Sequence, residues 1–249
     1  AEQAGDQDTA NNYLAKIITD YPNDQNYPKA LSKRAWKAYA DQDYAGAIDG
    51  MKLYLESSQP SPTRAQAMFA LGDCYRRTEQ LAEAARQFNA LIAAISPAGN
   101  PYGNSAADIQ RNATLLEQAR FYFAYSLSRL PNDATRKAAI QKLDEFLGFY
   151  PKSDLAAKAL NLKGSLQMAL KDPGANDTYA RLAAEYPNTD EGKNAQYARI
   201  SGALELAQYA QAKDALTAML ASPGSYKVEE FARVGQAMNT MVTRLKAVF

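Results

Sequence analysis

The chain of 249 residues contains no histidine and a single cysteine, Cys74. The first absence removes the commonest general base and the commonest metal ligand. The second excludes an internal disulfide and any cysteine-based zinc site. With no histidine to take its proton, the Cys74 thiol reads as a packing or surface group rather than a nucleophile. Neither sign of charge is in excess: 28 Lys and Arg stand against 27 Asp and Glu, a net charge of +1. Neither a nucleic acid nor an anionic membrane is therefore expected as the main partner. Runs of apolar residues fall short of the roughly 20 that span a bilayer, so no transmembrane segment is expected. There is no Gly-rich phosphate loop, no Gly-x-Ser-x-Gly elbow and no His-based triad. The carboxylate pairs Asp41/Asp43 and Glu229/Glu230 fall in an expected turn and on an expected terminal helix, where solvation suits them better than a cleft. These absences predict a protein that is not an enzyme and carries no cofactor and no metal. The opening AEQAGDQDTANN has neither a charged n-region nor an apolar h-region, and the chain starts without methionine, as after removal of a leader.

What the chain does have is 47% hydrophobic residues and a repeating arrangement of them. Its clearest unit is Ala65–Pro97, AQAMFALGDCYRRTEQLAEAARQFNALIAAISP. Small residues (Gly72, Ala84) stand where two helices must touch. Large apolar ones (Met68, Leu71, Tyr75, Leu81, Phe88) fill the space around them at helical spacing. Two helices packed at close range need a residue without bulk where their axes cross, and Ala35, Gly72, Ala124, Gly164 and Gly202 recur at that place. A mid-helix glycine costs about 0.5–1 kcal/mol relative to alanine, so three of them argue for a packing need.

Prolines punctuate the chain. Pro22, Pro60, Pro97, Pro151, Pro187 and Pro223 are separated by 38, 37, 54, 36 and 36 residues. Each pushes the residue before it out of the helical region. The long interval holds an irregular stretch, AGNPYGNSAADIQRN, which must begin as a loop, with helix resuming near Ala106 or Thr114.

This pattern resembles the tetratricopeptide repeat, TPR: a small residue at the eighth position, an aromatic at the eleventh, Ala at the twentieth, an aromatic at the twenty-fourth and a closing proline. From Ala65 as the first position, Gly72, Tyr75, Ala84 and Phe88 fall into register. The resemblance implies an all-α, right-handed TPR-like α-solenoid, one domain over 1–249. Five helix pairs are expected at about 28–62, 63–97, 114–151, 154–187 and 191–223. An incoming N-terminal helix precedes them, an insertion spans 98–113, and a helix over about 226–247 covers the end of the stack. The junctions DYPNDQNYPKAL, FYPKSDLAAKAL and EYPNTDEGKNAQ are similar to those of bacterial cell-envelope TPR proteins, of the barrel-assembly lipoprotein and Tol–Pal-associated types. That narrower resemblance implies a periplasmic or outer-membrane-associated scaffold, although the lipid-attachment cysteine of such lipoproteins is absent.

A TPR stack presents the first helix of each repeat to a concave groove. On this register the resemblance implies groove positions at Trp36 and Tyr39, at Phe69, Asp73, Arg76 and Arg77, at Phe121, Tyr125 and Arg129, and further on at Asn161, Met168 and Arg199. Aromatic and Arg side chains dominate the N-terminal half, the residue types enriched in interface hot spots. They suit an extended or helical peptide bearing acidic groups. Two other readings stand beside this one: the aromatics pack between repeats, and Arg76-Arg77 is a solvated turn. The Lys, Asn and Arg clamp of chaperone-tail-binding TPR proteins is matched only at Asn161 and is not expected. Tyr102, between Pro101 and Gly103, is a second candidate anchor if the loop is more than a spacer. The expected function is a scaffold that binds other proteins or peptides in an envelope complex. The alternative is a structural subunit that organises a larger assembly.

Overall fold

A computed structural model describes residues 7–95, 102–103, 105–221 and 228–246. Among the described residues twelve α-helices follow one another: α1 (Gln7–Asp20), α2 (Tyr27–Ala40), α3 (Tyr44–Ser57), α4 (Pro62–Arg77), α5 (Leu81–Ile95), α6 (Ala106–Ser128), α7 (Asp133–Phe149), α8 (Ala156–Ala169), α9 (Ala175–Glu185), α10 (Asp190–Glu205), α11 (Tyr209–Ala221) and α12 (Val228–Lys246). The described residues contain no strand. Pro97, Pro223, most of the loop over 98–104 and the start of the terminal helix at Tyr226 lie outside the described residues.

The chain forms two compact units, 1–130 and 131–249, dividing at Leu130–Pro131 inside the repeat expected over 114–151. In the first unit α1 packs on α2, α2 on α3, α3 on α4, α4 on α5 and α5 on α6, with α6 also reaching α4. In the second, α7 packs on α8, α8 on α9, α9 on α10 and α10 on α11, while α12 lies on α10. Phe231 and Val234 of α12 join Ile200, Ala215 and Met219 in one apolar cluster, as the capping helix should. Met238, four residues beyond Val234 on the same helical face, is exposed. Of the insertion expected over 98–113, residues 106–113 are helical and form the first turns of α6, capped by Ser105 accepting from the Asp108 N–H.

Short capping residues fix four further helix starts, those of α3, α4, α7 and α10. Asp43, Ser61, Asn132 and Thr189 each accept a backbone N–H three residues on, satisfying one of the donors that a helix N-terminus leaves unpaired. The ends are equally regular. Gln42, Glu79, Lys171 and Ala207 have positive φ of 62°, 58°, 55° and 57°, and each stands just past the first helix of a pair. The next residue donates back to the carbonyl five positions earlier, as in Asp43 to Ala38, Gln80 to Tyr75, Asp172 to Gln167 and Gln208 to Ala203. This is the Schellman closure, which usually takes glycine; here it takes none.

The small positions do their expected work, with two differences of partner. A Cβ on Gly72 would come within 2.9 Å of the Phe88 ring, and one on Gly164 within 2.7 Å of the Tyr179 ring. Ala35 faces a glycine rather than a ring, its Cβ lying 2.8 Å from where a Cβ on Gly50 of α3 would stand. Gly202 faces Met168 of α8, not its own return helix.

Candidate functional site

Asp73 lies at the centre of the first unit's most polar region. It sits in the C-terminal half of α4 and is 4% exposed, which an unpaired carboxylate could not tolerate. Helical spacing brings Arg76 and Arg77, three and four residues on, over the same face. Arg76 donates from Nε at 3.0 Å and from Nη2 at 2.5 Å to Oδ1. Arg77 donates from Nε to Oδ2 at 2.6 Å. From α2, the Tyr39 hydroxyl donates to Oδ2 at 2.8 Å, joining the first helices of two successive pairs.

Aromatic rings surround this centre. The Arg76 guanidinium lies 4.9 Å from the centroid of Tyr122, and that of Arg77 lies 5.2 Å from the centroid of Tyr44, both within cation–π range. Arg77 also donates from Nη1 to the Tyr44 hydroxyl at 3.1 Å. Tyr39 stands edge-on to both Trp36 and Tyr44, at 5.8 Å and 6.2 Å. Phe69, Phe88 and Tyr122 form a second group with centroids 5.5–6.2 Å apart.

The electrostatics follow from this geometry. Burial by itself would raise the Asp73 carboxyl, but hydrogen bonds from Arg77, Arg76 and Tyr39 outweigh it and hold the group below the usual carboxylate range. Burial, then the hydrogen bond to Asp73, raises the Tyr39 phenol, which stays protonated. The bond to Asp73 raises Arg77. Cys74, fully buried beside Asp73, is pushed up to about 12, mainly by burial, so its thiol is inert as a nucleophile.

Of the residues expected at the site, Trp36, Tyr39, Phe69, Asp73, Arg76 and Arg77 come together. Trp36 and Phe69 are half-buried and pack against the core while keeping an open side, so the packing and surface readings of these rings both apply. Arg76 and Arg77 are an ion-paired element, not a loosely solvated turn. Phe121 is buried against Tyr122. Tyr125 is half-buried and Arg129 is exposed at the end of α6; among the described residues neither side chain bonds to the cluster. Tyr102 is turned inward: it is 5% exposed and its hydroxyl contacts the Met68 sulfur at 3.5 Å. In the second unit Asn161 is half-buried, Met168 covers Gly202, and Arg199 donates to Asn176 and Gln196. Two contributors escape the sequence reading. Tyr122 is one residue away from Phe121 in the run FYFAY. Tyr44 opens a return helix, a position that counting along first helices does not visit.

Charge is also sorted between helices. α2 carries Lys29, Lys33, Arg34 and Lys37 and no acidic residue; α4 carries Arg64, Arg76 and Arg77 against Asp73 alone. The return helices balance or reverse this, with Asp49 and Glu56 against Lys52 in α3 and Glu83 against Arg86 in α5.

A family model described as tetratricopeptide repeat matches residues 1–24 and 66–94, the second segment falling on α4 and α5. These two segments match the sequence model of the repeat. Their fold extends beyond the matched segments. A crystal structure of a single-substitution form of a Podosopora anserina putative kinesin light chain, titled as having nearly identical TPR-like repeats, superposes with a TM-score of 0.54 at 11% identity, covering 78% of this chain and 92% of that one. A second structure of the same kinesin light chain gives 0.53 at 11% identity, covering 80% and 96%. At that identity the likeness concerns the TPR-like fold alone. No curated protein matches the sequence. No described helix is long and apolar enough to cross a membrane.

Proposed function

We propose that the chain is a non-enzymatic scaffold that binds partner proteins or peptides through the face shared by α2, α4 and α6. The observation that carries this reading is the cluster itself. Trp36, Phe69, Arg76 and Arg77 are surface or half-buried side chains held in fixed positions by Asp73 and by neighbouring rings, and preorganised aromatic and Arg anchors are what binding hot spots are made of. Within this proposal the partner belongs to a bacterial envelope complex in the periplasm or at the outer membrane, a placement that rests on the three Tyr-Pro junctions. Affinity purification from the native source, read by mass spectrometry, tests it. Replacing Trp36, Arg76 and Tyr125 together by Ala abolishes capture of specific partners if the face is used. Retained capture by a folded triple variant sinks the proposal, and partners drawn only from the cytoplasm sink the envelope placement.

A further inference from the structure

We infer that two copies of this chain associate head to tail, α12 of one packing on the open face of α1 of the next to make a helix pair of the same kind as α4/α5 and α8/α9. This goes beyond the partner-binding face and uses none of its residues. In those two pairs the first helix brings a glycine and the return helix covers it with a ring. A Cβ on Gly72 would stand 2.9 Å from Phe88 of α5, and one on Gly164 2.7 Å from Tyr179 of α9. α12 repeats the first-helix pattern. Gly235 follows Phe231 by four residues, as Gly72 follows Met68 and Gly164 follows Leu160. Phe231 and Val234 hold α12 against residues of α10 and α11, while Gly235 is exposed. A Cβ on Gly235 would meet nothing within 4 Å. A glycine weakens a helix interior, and within a single copy no close neighbour accounts for this one.

α1 repeats the return-helix pattern. It lies in the first segment matched by the repeat model and ends at Tyr21-Pro22, as α9 ends at Tyr186-Pro187. Aligned on that junction, Tyr13, Leu14 and Ile17 take the places of Thr178, Tyr179 and Leu182. In α9 all three are buried; Thr178 bonds to Gln167 of α8, and Tyr179 covers Gly164. In α1 Leu14 and Ile17 are only half-buried, and Tyr13 is 62% exposed. The apolar face that α9 gives to α8 is therefore open on α1. The glycine face that α8 gives to α9 is open on α12. An unrelated helix would answer one of these vacancies, whereas a second copy answers both. Docking removes the apolar face from water, and the glycine lets the two axes approach closely. The two surfaces differ, so a dimer made this way keeps one open surface at each end.

Sedimentation velocity of the 249-residue chain over a concentration series tests the inference. The mean mass should rise with concentration and pass that of a dimer. Gly235→Arg blocks the α12 face, and the open space around that site leaves the single copy folded. Leu14→Arg blocks the α1 face. Each variant alone should associate at least about tenfold more weakly. Mixed in equal amounts, the two should form a dimer that grows no further, since one supplies an intact α12 and the other an intact α1. Circular dichroism checks that each is folded; should Leu14→Arg unfold α1, Tyr13→Arg, at an exposed side chain, takes its place. An unaltered chain that stays monomeric, or a variant that associates as strongly as the unaltered chain, overturns the inference. So does a mixture that forms no dimer, the result expected if α12 instead pairs with its own copy. None of these substitutions touches Trp36, Arg76 or Tyr125, so the binding face is judged separately.

Discussion

The two units are made of similar helix pairs, yet among the described residues only the first buries a charged side chain. In the second unit, the polar side chains that leave solvent are neutral. Thr178 donates to Gln167 at 2.6 Å, Gln167 reaches Asp172 at 3.3 Å, and Asn176 accepts from Arg199 at 3.3 Å. In the first unit a buried carboxylate is held by two guanidiniums and a phenol, with rings packed around them. A buried neutral amide or hydroxyl is satisfied by one or two such bonds and leaves no charge over. A hub with two cations and one anion cannot be closed in that way, and its surplus faces outward. The helix packing therefore sets where helices go, while the side chains around Asp73 of α4 decide which unit keeps a surplus of positive charge beside a buried carboxylate.

The sharpest way to break this contrast is to remove the anion. Asp73→Ala leaves two guanidiniums and the Tyr39 hydroxyl facing one another and should destabilise the first unit by about 2–4 kcal/mol. That is at or below the usual cost of breaking a buried pair, because Arg77 keeps access to water. Chemical denaturation monitored by Trp36, the only tryptophan, reads this unit alone. An unchanged midpoint would show that the hub is not structural.

In the second unit the largest loss should come from Gly164→Leu, by about 1–3 kcal/mol or more, since even a Cβ there would stand 2.7 Å from the Tyr179 ring. Gly202→Ala should cost clearly less, although its Cβ would lie 2.5 Å from the Met168 sulfur, because an unbranched thioether can swing aside. Thermal melts that rank the two the other way would refute this account of the small positions.

Acid should separate the units next. The Asp73 pKa is depressed in the folded state, so its contribution is complete above the unfolded value of about 4 and fades as the pH falls below it. On the basic side, Tyr39 and Tyr179 are both raised, Tyr179 to about 12 by burial. Their contribution is complete below about 10 and is lost as the pH rises further. With no histidine to titrate in between, stability should be flat from about pH 5 to 8, above which the raised thiol of buried Cys74 begins to add to the loss. A fall across about pH 6–7 in denaturation midpoints would contradict this. The Trp36 signal should weaken in acid before far-ultraviolet ellipticity from the second unit does.

The smallest expected effect is a gain. Glu79→Gly or Lys171→Gly relieves a left-handed backbone at a residue with a side chain and should stabilise by about 0.5–1 kcal/mol. Equal gains in both units would show that the closures, unlike the hub, are common to the whole repeat system.

Much of this was legible in the sequence because proline and glycine act locally. A proline cannot continue a helix beyond its first turn, so Pro22, Pro151 and Pro187 follow helix ends while Pro28 and Pro62 open helices. Gly72 and Gly164 announce close approach without reference to distant residues. The hub was half legible: Asp73, Arg76 and Arg77 share a helix, so spacing alone aligns them. Tyr44 and Tyr122 arrive from other helices, and a rotation of one residue in α6 exchanges Phe121 for Tyr122. The inward turn of Tyr102 likewise depends on a long-range contact with Met68. The division at Leu130–Pro131 carries no composition shift, and the non-glycine closures carry no glycine by which to find them. Backbone geometry set by tertiary contact is invisible to residue type.

The seclusion of Cys74 has a practical consequence. It is the only thiol in the chain, is fully buried and is adjacent in sequence to the hub carboxylate. An aqueous thiol reagent reaches it only when α4 lifts from its neighbours. The rate of its modification therefore meters how often the centre of the first unit opens. A bound peptide should slow that clock without any label having been introduced.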